Sequence, residues 1–549
     1  MKIVKDTLKV FAQAKILIGT AMLTFLFSGI YVFRVYGITD ETAVVAQLEQ
    51  ALELSFYLFI VAMFVSYEYI RKFRVTGIAE TQVATKHGKN RCHFLCAFGV
   101  LTMWALLVTV FLIGCVIYSY SFYKIEDPHG EYIWHIIWNL FVNIFLIMEL
   151  GMLIGSLLSG IRWRIIAYLL MIGVSYLVSP YPEQMADQIC RSVKAGKTSI
   201  YAFVEACNIM PLVHTGFAPS FSFGESILPY RIALILFWIM IVVTLLIFSS
   251  RKTRKCTILG VIFSILCFYV YSLPSSKLIM NSSPDNAVGH EQYYYLTEGD
   301  KTKTEDGNYQ ITAYKMELTI GRQLQADVVI DVDESLKEYK MTLYHGYKIE
   351  SAVDEDNKEL NVSQKGDYVT LTNTSGEEIH KIQLKYSGSA AAYYSNYQGI
   401  FLPGYFGYYP RAGYVPLFDD TTWSMADAFV DENTEFMVKV HTKQHLYTNL
   451  EKEGEWYKGK CDGFTILSGF YKEKKLADGN TLVYPYLCGW YYDGIHPEKE
   501  AMKEYFSYME ERLKEKKRKN TIVFCVPNVN QLKNIYEGKN QILNRSFVL

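Results

Sequence analysis

Cysteine is scarce for the length: ten in 549 residues, too few for a disulfide scaffold. Net charge is almost absent, at −1 near neutral pH. No overall positive field therefore invites nucleic acid, and no nucleic-acid partner is expected. No G-x-x-x-x-G-K-[ST] loop occurs, so the chain lacks the usual cradle for ATP phosphates. No short apolar stretch with a small-residue cleavage site opens it. The first apolar run is long, follows a basic N-terminus and reads as a retained span.

What is present is unevenly spread. Hydrophobic residues make up 51% of the chain and charged ones 20%, but the apolar residues sit in blocks in the first half. A helix needs about 20 mostly apolar residues to cross the hydrocarbon core. Seven runs reach or approach that length: Ile16–Tyr36, Leu54–Ile70, Phe94–Tyr120, Ile133–Leu158, Ile165–Val178, Ile232–Ser249 and Cys256–Leu273. The fifth is short, and crosses only if Ile161, Trp163 and the neighbouring arginines snorkel to the interface.

Orientation follows from Lys and Arg in the short loops. Basic clusters stand at Lys2, Lys5, Lys9 and Lys15, at Arg71 to Arg91, at Arg162 and Arg164, and at Arg251 to Lys255. Between them, Thr39–Glu53 has no Lys or Arg and Phe122–Tyr132 has only Lys124. Four basic loops alternate with non-basic ones. The N-terminus is expected in the cytoplasm, and everything after the seventh span outside the cell. The long loop Ser179–Tyr230 is expected outside too, where Cys190 and Cys207 either pair or stay free.

Residues 70–83 follow directly from a membrane helix. Val75, Ile78, Ala79, Gln82 and Val83 fall near helical spacing, which predicts a short amphipathic helix on the cytoplasmic surface. Two readings stay open: a basic helix held by anionic membrane lipid, or a docking helix for a cytoplasmic protein. Glu68 sits just before it.

This layout resembles the permease subunit of a type-2 ABC exporter over roughly the first 250 residues: a basic N-terminus, a second span ending in an acidic residue, a basic cytoplasmic helix and further spans. The resemblance is most local between Glu68 and Lys89. It implies a coupling segment carried by Glu68, Arg71, Arg74, Gly77, Glu80 and Gln82, docking on an ATPase that is a separate polypeptide. A homodimer or a second permease is the implied assembly.

Within the spans, Glu149 is an ionisable residue at membrane depth, where an uncompensated charge is costly. It is a functional candidate, or a hydrogen-bonded structural Glu between helices. Asn139 and Asn143 share its span as candidate polar partners. Gly151, Gly155 and Ser159 recur every fourth residue, which predicts close packing on another helix, within the chain or in a dimer.

After Leu273 the composition changes. Residues 275–308 read as a linker. From Tyr309 the pattern alternates with period two, as in Ala313–Ile320 and Asp327–Val332. Nine such strands, the last being Phe436–Thr442, Phe464–Lys472 and Thr481–Leu487, predict a β-sandwich over 309–490. Glu498–Lys517 reads as an amphipathic helix, and Asn520–Pro527 and Gln541–Leu549 as strands. The expected fold class is a polytopic α-helical membrane domain (residues 1–274, about seven spans). An extracellular mainly-β sandwich domain follows, with a short α/β piece at 491–549.

The strand wording Ile349–Val353, Leu384–Gly388, Gly399–Leu402 and Tyr408-Tyr409-Pro410 resembles the N-terminal β domain of aminopeptidase N-like zinc peptidases. The final segment resembles the opening of that family's catalytic domain. The family's chemistry needs His-Glu-x-x-His on a helix. Here His290-Glu291 is followed by Tyr294 in the place of the second His, and His441 and His445 lie in a predicted strand and turn. No metal, cofactor or catalytic residue is expected from this chain.

Tyr393, Tyr394, Tyr397, Tyr405, Tyr408, Tyr409 and Tyr414 crowd one loop-rich stretch. Tyr suits surfaces that are half buried and half wet. Tyr397, Tyr405, Tyr408 and Tyr409 are the candidate extracellular binding surface; the alternative is ordinary sandwich packing. Cys461 and Cys488 flank a predicted hairpin as a candidate pair. The expected function is a multi-pass exporter permease in the cell membrane, served by a separate ATPase. The alternatives are a membrane-anchored aminopeptidase-like protein, without activity or shortened, and a membrane sensor or immunity protein.

Overall fold

The computed structural model describes residues 2–12, 15–34, 43–75, 89–122, 137–138, 140–177, 228–249, 254–272, 294–295, 304–374, 376–390, 393–396, 399–419, 421, 424–469, 471–485, 499–526 and 535–544. They fall into two compact units, one helical up to Ser272 and one mainly β beyond it.

The helical unit contains α1 (Lys2–Ala12), α2 (Lys15–Arg34), α3 (Ala43–Val75), α4 (Lys89–Phe122), a π-helical turn (Phe141–Leu146) continued by α5 (Ile147–Leu158), α6 (Arg164–Leu177), α7 (Leu228–Ser249) and α8 (Arg254–Ser272). Within the described residues all seven expected runs are helical, because an apolar segment buries its backbone polar groups most completely in its own helix. The expectation of seven crossings is not supported. Among the described residues three stretches are long and apolar enough to cross a membrane: Leu54–Phe73, Cys96–Tyr118 and Phe141–Leu158. The other four, Leu17–Val32, Arg164–Tyr176, Ile232–Phe248 and Lys255–Val270, are shorter. At 1.5 Å per residue they fall short of a hydrocarbon core about 30 Å thick. Apolar composition made them look like spans; the length of the apolar stretch within each helix separates them. Much of their apolar surface is bare: Leu259, Ile262, Ile265 and Tyr269 on α8 are all more than half exposed.

The β unit is built on a seven-stranded sheet ordered Glu451–Glu453, Trp456–Lys460, Glu435–His441, Ile311–Ile320, Leu324–Val332, Lys381–Gly388, Tyr347–Asp354. Alternation sets its faces. Tyr314, Met316, Leu318 and Ile320 point into the core, while Lys315, Glu317 and Thr319 point out. Strand Ile311–Ile320 pairs antiparallel with Leu324–Val332 and parallel with Glu435–His441. A four-stranded sheet (Asn361–Lys365, Tyr368–Thr372, Glu338–Thr342, Arg411–Ala412) and a three-stranded one (Tyr447–Thr448, Ile466–Ser468, Ile400–Leu402) contribute to the same core.

Of the expected sandwich strands, Thr481–Leu487 belongs elsewhere over its described part, and Phe464–Lys472 is divided, Ile466–Ser468 staying in the three-stranded sheet while a separate strand begins at Tyr471. Tyr471–Lys475 and Thr481–Pro485 form a hairpin, and Thr481–Pro485 pairs in parallel with Ile522–Cys525. With Gln541–Asn544 and Ile535–Glu537 they make a five-stranded mixed sheet. One face, through Leu482, Val523 and Ile542, packs on Tyr505, Met509 and Leu513 of α9 (Lys499–Glu515). The other, through Val483, Phe524 and Leu543, joins the large core. The parallel pairing could not be read from period-two alternation, which is the same for either partner.

Candidate functional site

In the helical unit the small residues of α5 let it lie directly against α3. A Cβ on Gly155 would fall onto the Met63 carbonyl oxygen, and one on Gly151 would meet Phe59 O at 2.6 Å. Ser66 of α3 bridges the crossing, its Oγ donating to Met152 O at 2.7 Å and lying 2.9 Å from Ser156 Oγ. The stripe expected to pack on another helix is used inside the chain. Ser159 instead closes α5, donating to Ser156 O at 2.6 Å.

Near the C-terminal end of α3, Glu68 is the hub of a polar cluster. Tyr168 of α6 donates its phenolic proton to Glu68 Oε1 at 2.6 Å, and Arg164 Nη2 stands 3.6 Å from Oε2. Glu68 is 16% exposed and Arg164 58%. Tyr67 sets its ring edge-on to Tyr168, with centroids 5.6 Å apart, and Arg71 donates to Tyr67 Oη at 3.4 Å. Next along α3, Tyr69 donates to the Thr7 carbonyl of α1 at 2.8 Å and packs edge-on against Phe11. Three basic segments, α1, the end of α3 and the start of α6, are thus tied to one end of this unit.

Of the expected coupling segment, Glu68 and Arg71 lie in this cluster. Arg74 lies on the last described turn of α3, which runs unbroken through Arg71 to Val75; the rest of the expected amphipathic helix lies outside the described residues. Gly77, Glu80 and Gln82 lie outside the described residues. Glu149 is buried, and its Oε1 has no hydrogen-bond partner among the described residues. Asn143 is buried in the π-helical turn, a distortion in which one residue is inserted into the helical ladder. Asn139 lies outside the described residues, as do Cys190, Cys207 and Cys488. Cys461 is buried and unbridged.

In the β unit the structure corrects the tyrosine surface. Tyr405, Tyr408 and Tyr409 are completely buried. Tyr408 donates to Phe464 O at 2.5 Å and Tyr409 to Gly404 O at 3.1 Å, while Tyr405 stacks on Tyr536 with centroids 3.7 Å apart. A phenol whose hydroxyl finds a main-chain carbonyl is an ordinary core residue, and sequence spacing cannot show that carbonyl. Burial pushes the hydroxyls of Tyr405, Tyr408 and Tyr409 well above their ordinary range. Tyr397 lies outside the described residues.

Of the His residues weighed for a metal, His441 faces Glu317 at 3.6 Å and His445 packs against Tyr447. His290 lies outside the described residues, but Tyr294 stacks on His345 at 3.4 Å. No group of three His, Cys, Asp or Glu among the described residues is placed to hold a metal. Sequence reasoning missed Arg411, a buried cation directly after the Tyr408-Tyr409-Pro410 step. Its one signal was an arginine inside an otherwise apolar aromatic run.

No family model matches the chain, and no curated protein matches it. Matches are found among solved structures. The M1 zinc metallopeptidase from Deinococcus radiodurans is 12% identical, with a TM-score of 0.26, over 44% of this chain and 62% of that one. Yeast leukotriene A4 hydrolase in complex with bestatin is 8% identical, with a TM-score of 0.29, over 45% of this chain and 43% of the hydrolase. The native enzyme from Saccharomyces cerevisiae gives 8%, 0.28, 46% and 44%. The chain spans less than two thirds of each of these proteins, and a likeness of this size carries no argument about activity.

Proposed function

We propose that this chain is an integral membrane subunit whose helical unit works as the permease of an exporter driven by a separate ATPase. Its β unit is then an external, peptidase-like binding module without zinc chemistry of its own. The observation that carries the reading is the convergence around Glu68 and Tyr69. Membrane proteins keep their Lys- and Arg-rich segments on the cytoplasmic side. A fold that ties α1, Arg71 and Arg164 to one end is what such an orientation requires. The bare apolar surfaces of α2, α4, α6 and α8 suit lipid contact.

In this reading the end of α3 is the lever. A load on the basic segment beginning at Arg71 reaches α6 through Glu68, and α5 through the Ser66 contacts. Movement of these helices relative to one another is how a bound nucleotide elsewhere would alter access to the cargo path. The test is co-purification of the native protein with an ATP-binding subunit, lost when residues 71–83 are replaced by a Gly/Ser segment. Activity of the chain alone, without nucleotide and with that segment replaced, would overturn it.

A further inference from the structure

Five cations meet beside the edge of the five-stranded sheet. Lys516, Lys517, Arg518 and Lys519 follow directly on α9, and Lys539 lies in the turn between Ile535–Glu537 and Gln541–Asn544. Together with Glu537 they form most of the wall of an open cavity of about 530 Å³. Glu537 is the one carboxylate among the described residues of that wall, and both its oxygens are in use. Lys516 Nζ donates to Oε1, and Arg518 Nη2 donates to Oε2 at 3.0 Å. Arg518 Nη1 donates to Gly538 O at 2.7 Å and Lys539 O at 3.1 Å. These bonds tie the basic run to the turn that carries Lys539.

Three amines are left over. Among the described residues Lys517 and Lys519 form no ion pair. Lys539 stands 3.6 Å from Glu432, with side chains 43% and 60% exposed, a contact that contributes little in water. The negative end of the α9 dipole favours Lys514 and Lys516, but its influence ends with the last turn. It gives no reason for Lys519 or for Lys539. The backbone points the same way. Arg518 N–H donates to Leu513 O at 2.8 Å and Lys517 N–H to Lys514 O at 2.9 Å, the paired bonds of a Schellman close. Lys517 therefore takes φ 53°, the left-handed region in which a Cβ is strained and glycine is usual. The turn itself would be better served by glycine; what the lysine adds is charge.

From this we propose that the cavity binds a soluble phosphate polyanion, a di- or triphosphate group, through the amines of Lys517, Lys519 and Lys539. Lysine ammoniums are compact point charges suited to phosphate, and a concave surface of one sign concentrates its counter-ion. No aromatic side chain lines the cavity among the described residues, so a base or a hydrocarbon tail finds nothing to lie on. The site stands on the β unit alone and is independent of the transport reading.

The probe is inorganic tripolyphosphate, titrated calorimetrically into the full-length protein in neutral detergent at low salt. The expected result is saturable binding of one ion per chain. Lys517→Gly should weaken it roughly three- to tenfold, the worth of one exposed charge contact, while leaving the thermal midpoint without ligand unchanged or raised. Lys519→Ala and Lys539→Ala should weaken it similarly, and the three changes together should abolish it. Lys503→Ala, which removes the same charge from an exposed position on α9 outside the cavity, should leave the affinity as it was. No saturable binding, undiminished binding by the triple variant, or an equal loss with Lys503→Ala overturns the proposal. Tighter binding of monomeric dihexanoyl-phosphatidylglycerol than of tripolyphosphate would make a lipid headgroup the ligand and overturn it as well.

Discussion

Tyr168 gives its phenolic proton to Glu68 across 2.6 Å, joining residues one hundred positions apart in sequence. With Arg164 on the other carboxylate oxygen, this pair fixes the start of α6 to the end of α3. Tyr168→Phe removes the donor and leaves Glu68 with a partly exposed arginine. A loss of about 1–2 kcal/mol in stability is expected, the lower part of the range for a hydrogen bond to a charged group. A double-mutant cycle with Glu68→Gln, read by thermal unfolding in detergent, should show the two losses to be non-additive. Additive losses would mean that the contact contributes nothing.

The crossing of α3 and α5 makes a sharper prediction. Gly155→Ala pushes a methyl into the Met63 carbonyl, backbone that cannot swing aside. The cost should be roughly 1–3 kcal/mol or more, as for other over-packed contacts. Gly173→Ala on α6 is the control, because a Cβ there meets nothing within 4 Å; helix propensity should leave it neutral or slightly stabilising. The two midpoints, measured side by side, check the difference.

Orientation is tested by thiol labelling. In a variant freed of native cysteines, Lys5→Cys and Arg162→Cys should react with a membrane-impermeant maleimide only after the cells are opened. Asp356→Cys, on the exposed rim of the β unit, should react in intact cells. Protection of Asp356→Cys in intact cells would place the β unit inside and end the transport reading as stated.

Acid should weaken the edge of the five-stranded sheet. Glu537 is held below the usual carboxylate range first by its hydrogen bond to Lys516 and then by Arg518. A carboxylate whose folded pKa is lowered stabilises the fold above its unfolded pKa and loses that contribution as pH falls through the folded value. Glu537→Gln should therefore flatten the pH dependence of the unfolding midpoint on the acid side. The effect is at most about 1 kcal/mol, because the pair is partly exposed. An unchanged acid limb would exclude this contribution.

Cys461 should be inert in the folded protein. Burial pushes its thiol up to about 12, and the reactive thiolate is then a negligible fraction at neutral pH. Iodoacetamide followed by peptide mass analysis should leave it unmodified in native protein and modify it in urea.

Much of this molecule was legible in order along the chain. The apolar runs predicted where helices lie, and period-two alternation predicted six of the seven strands from Ile311 to Gly388, missing Asn361–Lys365, because each element's burial is written in its own spacing. Glu68 and Arg71 were legible as a charged end to an apolar helix. Their partners were not, since Tyr168 and Thr7 come from distant segments.

The sequence by itself determined the division into a helical and a β half, the faces of the longer strands, and the absence of a phosphate loop and of a His-Glu-x-x-His motif. Only the tertiary structure decided the rest. Tyr405, Tyr408 and Tyr409 went into the core because carbonyls of Phe464 and Gly404 and the ring of Tyr536 were waiting there. Thr481–Pro485 left the sandwich for a parallel partner forty residues on, and Arg411 was enclosed among the carbonyls of Gly404, Phe406 and Ala428. Spacing along a chain records how one element meets water, whereas pairing and burial depend on what another part of the chain brings to meet it.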